Sequence, residues 1–91
     1  MSDNTKIRLR QIDKENWRFI LYQTENEQFV ASFPYSPTSF VDLSMFILLT
    51  ADEKDKVEAD RQFLIDFSDD VRNNFRAFLP RATSANEYLI F

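Results

Sequence analysis

The side chains that could do chemistry in this chain are carboxylates, guanidiniums and aromatic rings. Asp52, Glu53 and Asp55 lie close together in sequence, and Asp69 and Asp70 are adjacent. Clustered carboxylates can share acid–base work or hold Mg²⁺ or Ca²⁺. Both groups also have a plainer reading. Acidic residues suit the first turn of a helix, where the dipole is positive, and the outer face of a helix is solvated. The 91 residues include no His and no Cys. This excludes a serine or cysteine triad with a histidine base, and it removes the usual zinc and copper ligands. There is also no Gly, where average usage of about 7% would give roughly six. Glycine-rich phosphate loops, the dinucleotide fingerprint and the Ca²⁺ loop with its central glycine are therefore absent. The expectation is a non-enzymatic protein without a metal or cofactor.

The aromatic residues are numerous, with ten Phe, three Tyr and one Trp. They give a short chain large buried area per residue. Trp17 and Tyr35 could also serve as ligand platforms. Trp17 alternates with Phe19 and Leu21, so packing in the core is the expectation for it. The net charge of −4 argues against broad attraction to nucleic acid or anionic lipid. Residues 1–5 are polar, so no signal peptide is expected, and this terminus should fray. The longest apolar run, Met45 to Leu49, is far below the roughly 20 residues that cross a bilayer. A cytoplasmic location follows as the default expectation.

One element organises the chain. With Leu64 at zero on a wheel of about 100° per residue, Val57, Phe67, Val71, Phe75, Phe78 and Leu79 fall within about 60° of it. This is the stripe of an amphipathic helix ending at Pro80, which disfavours helix for the residue before it. Thr50 and Glu53 form a capping-box pattern at its start. A helix from Ala51 to Leu79 would be roughly 43 Å long at about 1.5 Å per residue. Asp60 falls within the apolar stripe. Either the first turns overhang the core, or the helix breaks near Asp60.

The remaining elements read as strands. Lys6 to Ile12 is the first, followed by a turn over Asp13–Asn16. Trp17 to Gln23 is the second, followed by a turn over Thr24–Glu27 in which Asn26 can take positive φ. Gln28 to Tyr35 is the third. Phe40 to Leu49 is compatible with helix or strand, but alternation favours strand. Short connections between adjacent strands imply an antiparallel meander. Arg81 to Asn86 reads as a loop. The C-terminal Tyr88-Leu89-Ile90-Phe91 is too apolar for a free tail. It should form a short edge strand or pack over the helix end. The expected fold is one α+β domain spanning residues 1–91: a four-strand antiparallel meander, one long helix on one sheet face, and a short C-terminal strand.

This arrangement leaves a surface to be explained. If the helix covers Leu9, Phe19, Leu21, Phe29, Phe33, Leu43, Met45 and Ile47, the other face displays Arg8, Arg10, Ile12, Arg18, Ile20, Tyr22, Val30, Phe40, Phe46 and Leu48. That face is half apolar, whereas a solvated sheet face is mostly polar. Three readings follow. The C-terminal segment or a second copy of the chain covers it. Alternatively, Arg8, Arg10, Arg18, Ile20, Tyr22 and Phe46 bind a protein partner, as in a small inhibitor, immunity-type or adaptor protein. Thirdly, the arginines and Tyr22 bind single-stranded nucleic acid by phosphate contact and base stacking. Protein–protein interaction, with a partner or as a homodimer, is the leading expectation, and no membrane partner is expected.

Overall fold

The structure, a computed structural model, describes residues 7–38, 41–83 and 88–90. The polar residues 1–5, Phe40 and the loop residues 84–86 lie outside the described residues. The fold is α+β. In chain order it comprises β1 (Ile7–Glu15), β2 (Phe19–Thr24), β3 (Phe29–Thr38), β4 (Val41–Leu48), α1 (Ala51–Ala59), α2 (Arg61–Asn73) and α3 (Phe75–Phe78). A 3₁₀ turn (Leu79–Arg81), β5 (Ala82–Thr83) and β6 (Tyr88–Ile90) follow. The sheet order is β5-β4-β3-β2-β1-β6. The β1–β2–β3–β4 meander is antiparallel as expected, β5 adds to β4 antiparallel, and β6 pairs with β1 in parallel.

The expected single long helix is three short ones. Asp60 breaks the first junction with extended backbone (φ −156°, ψ 113°). Its N–H closes α1 on the Lys56 carbonyl, and its carboxylate caps α2 by accepting from the Gln62 N–H. Asn74 makes a second break. The cause is packing. Val57 is the one buried residue of α1, whereas α2 buries Leu64, Phe67, Ser68 and Val71. A rod of roughly 43 Å would exceed the longest dimension of the fold, 40 Å. At the start of α1 the capping box is present. The Thr50 hydroxyl accepts from the Glu53 N–H at 3.1 Å, and the Glu53 carboxylate accepts from the Thr50 N–H at 2.9 Å.

One core lies between the helices and the sheet. Phe19, Leu21, Phe29, Ala31, Phe33, Met45, Ile47 and Leu49 meet Val57, Leu64, Phe67 and Val71 there. The Phe33 and Phe67 rings stack 5.2 Å apart. Leu43, expected in this core, is 43% exposed. A second core occupies the opposite sheet face and comprises Leu9, Tyr22, Val30, Phe46 and Tyr88. Leu9 belongs to this second core rather than to the helix-covered one. The β1–β2 register shifts between Gln11 and Asp13. One extra residue at Ile12 reverses the side on which the earlier part of β1 points.

The second core exists because the sheet rolls. β5 and β6 are five strand spacings apart in sheet order, roughly 24 Å if flat at about 4.8 Å each. Yet the Thr83 hydroxyl and the Tyr88 phenol are hydrogen-bonded at 2.6 Å, and the Phe46 and Tyr88 rings lie 5.5 Å apart. The outer strands thus approach each other, and the C-terminal segment covers part of the apolar face with Tyr88.

Candidate functional site

Two of the residues expected to form a partner-binding face are consumed by this second core. Tyr22 is 5% exposed and Phe46 is 8% exposed, and their rings pack 6.1 Å apart. Burial pushes the Tyr22 phenol above its ordinary range. Ile20 packs at the edge of the same cluster. Arg8 pairs with Glu25 at 3.7 Å, and Arg10 donates to the Gln23 side-chain carbonyl at 3.1 Å. Arg8 and Arg10 alternate with Leu9, so they point away from the second core. Arg18 reaches across to α2, where it binds Asp69. The six residues therefore do not share one surface.

The carboxylates have structural partners of their own. Asp52 pairs with Lys56 one helical turn away. Glu53, besides capping α1, takes two N–H donors from Arg81 at 2.6 and 3.0 Å. Burial of Glu53 pushes its pKa up, but the hydrogen bonds from Arg81 and Thr50 together outweigh that effect and leave it below the usual range. Asp13 and Glu15 receive the Arg61 guanidinium, whose second nitrogen also donates to the Lys14 carbonyl. The Arg61 hydrogen bonds hold the Asp13 carboxyl below its ordinary range against the opposing effect of burial. This network ties the start of α2 to the end of β1. Among the described residues, no group of three or more Asp, Glu, His or Cys is arranged to hold a metal ion.

The Glu53–Arg81 pair makes a prediction about acid stability. A carboxyl whose folded pKa lies below its unfolded value contributes stability above the unfolded value and loses it as pH falls through the folded one. Glu53→Gln should therefore be less stable than the parent at pH 7. The difference should shrink as pH falls below the usual glutamate value of 4.5. Urea midpoints of both proteins between pH 7 and pH 2 would check this. A constant difference across the range would contradict it.

A different site emerges at the β1–β2 corner. The second strand was expected to begin at Trp17, with that indole in the core. Instead β1 continues to Glu15, and the chain reverses over Asn16, Trp17 and Arg18. The Arg18 N–H closes the turn on the Glu15 carbonyl at 3.0 Å. Trp17 holds the third position of this turn at φ 67° and is 87% exposed. Positive φ at that position normally selects Gly or Asn. For an L-residue with a side chain it costs roughly 1–2 kcal/mol. Among the described residues the other positive φ falls on Glu27 at 64°, not on Asn26. With no glycine available, these bulkier residues occupy the left-handed positions.

Shallow grooves flank Trp17. One, of about 420 Å³, has Lys14, Ile20, Ser32, Pro34 and Ser44 along it. The other, of about 300 Å³, is bounded by Pro34, Tyr35 and Arg72. Arg18 lines the first groove and Arg72 the second, and one oxygen of Asp69 accepts from Arg18 at 2.5 Å and from Arg72 at 2.7 Å. Tyr35 leans on Phe75, with ring centroids 5.2 Å apart. Trp, Tyr and Arg are the side chains that dominate binding energy at protein interfaces. The signal available in the sequence was the absence of glycine. It required some larger residue to take each positive φ, but did not say which.

The fold and this corner define a small α+β domain with a rolled, mostly antiparallel sheet and an exposed aromatic turn. Comparison of the chain with protein-family models, curated proteins and solved structures found no match. No helix among the described residues is long and apolar enough to cross a membrane.

Proposed function

We propose that this chain is a small non-enzymatic protein–protein interaction module that contacts its partner through the Trp17 corner. The observation that carries this reading is Trp17 itself, an indole 87% exposed on a backbone at φ 67°. Its placement forgoes burial of a large apolar surface and also accepts a disfavoured conformation. Strained, exposed residues of this kind concentrate at binding sites. The neighbouring Arg18, Tyr35 and Arg72 supply the polar and aromatic surroundings of a contact centre. The face first expected to bind is less suited, because Tyr22 and Phe46 are spent on internal packing.

Trp17→Gly separates function from fold. Glycine accepts positive φ without penalty, and little packing is lost with a side chain so exposed. Thermal unfolding should therefore occur at the same temperature or slightly higher. Affinity capture from a nuclease-treated lysate should yield a stoichiometric protein with the parent chain and none with Trp17→Gly. Equal capture by both chains would remove Trp17 from the contact. Capture that vanishes on nuclease treatment would instead favour single-stranded nucleic acid.

A further inference from the structure

The charges around Trp17 are unbalanced, and this imbalance identifies a kind of partner. Arg18 and Arg72 approach the indole corner from the β1–β2 turn and from α2, and share one oxygen of a single carboxylate, Asp69. Each guanidinium carries five N–H donors in a planar fork that suits a carboxylate bidentately. Among the described residues, each is seen to spend one nitrogen on Asp69. Lys14 adds a third cation on the neighbouring groove. Glu15 also lines that groove, and it shares the Arg61 guanidinium with Asp13. Arg18, Arg72, Lys14 and Arg61 against Asp69, Asp13 and Glu15 leave one positive charge in this group, on a chain whose net charge is −4.

Building on the Trp17 reading, we infer that the occupant is an acidic, extended peptide segment of a partner protein. One of its Asp or Glu carboxylates completes the Arg18–Arg72 pair, and an adjacent apolar side chain lies against Trp17 and Pro34. Charge complementarity selects this occupant. A second copy of the chain is less suited, because its own Trp17 corner is cationic and would repel an identical corner. A flat indole beside a proline ring and a groove of about 420 Å³ suits an extended segment better than a helix about 10 Å across.

The test is selection of a displayed random twelve-residue peptide library on the intact chain, followed by fluorescence anisotropy with the individual peptides. The selected peptides should carry Glu or Asp beside an apolar residue, and their binding should weaken with added salt. Replacing that Glu by Gln in the peptide should weaken binding about tenfold or more, as loss of a hot-spot contact does. This measurement leaves the protein unaltered. Arg72→Glu should weaken the parent peptide similarly, and changing the peptide Glu to Lys should restore affinity. Peptides that lose affinity with Trp17→Gly but contain no required acid would overturn the acidic partner and leave the Trp17 contact standing. Peptides indifferent to Trp17→Gly would overturn both. Tighter binding of a single-stranded oligothymidylate at the same corner, or concentration-dependent dimerisation that blocks the peptide, would also overturn the inference.

Discussion

Phe33→Ala is expected to lower the free energy of unfolding by about 3–5 kcal/mol, the range for truncating a fully buried phenylalanine. Phe33 is 0% exposed and stacks on Phe67. It lies on β3, one of the two inner strands of the meander, and the Phe67 ring also meets Phe63 and Phe78. The surrounding residues come from both the sheet and the helices, so a cavity there cannot collapse by moving one element. A domain of this length has only about 5–15 kcal/mol to lose. The variant should therefore unfold at a markedly lower urea concentration. A loss below about 1 kcal/mol, outside the usual range for such truncations, would mean that the helix layer is not packed on β3 in this way.

Tyr88→Ala should produce the second large effect. It should cost about 3 kcal/mol, at the lower end of the range for large aromatic truncations. It should also uncover Tyr22 and Phe46, so that the variant binds a hydrophobic dye while retaining the far-ultraviolet spectrum of the parent. Tyr88→Phe isolates the hydrogen bond to Thr83, which is worth about 1 kcal/mol. If Tyr88→Ala left stability and dye binding unchanged, the C-terminal strand would not be what covers this face. The two Tyr88 variants together separate ring packing from the polar contact that joins the two ends of the rolled sheet.

The features that could be read from sequence are those with local causes. The Thr50–Glu53 capping box involves two side chains three residues apart and needs nothing else. The Leu64–Phe67–Val71 stripe marks α2 by its spacing. Alternation along Val41–Leu48 favours strand over helix. Asp60 conflicted with the stripe, and that conflict is where the helix breaks.

The errors have non-local causes. Trp17 alternates with Phe19 and Leu21 as a strand residue should. Yet β1 extends to Glu15 and pairs it with Phe19, which leaves Trp17 in the turn. The shift at Ile12 turns Leu9 to the other face, and a period of two cannot reveal one inserted residue. Strand alternation groups Arg18 with Arg8 and Arg10, but its partner Asp69 is 51 residues away in the chain.

By itself, the sequence determined the α+β class, the antiparallel meander, the capped start of the helical region and the absence of His- and Cys-based chemistry. Each follows from composition or from interactions within a few residues. Tertiary structure alone decided that β6 runs parallel beside β1, that the sheet rolls to make a second core, and that the lone tryptophan stands in solvent on grooves that Arg18 and Arg72 also line. Those outcomes depend on strand register and on contacts between residues far apart in the chain. A shift of one residue reverses which side chains face the core and which are left to meet a partner.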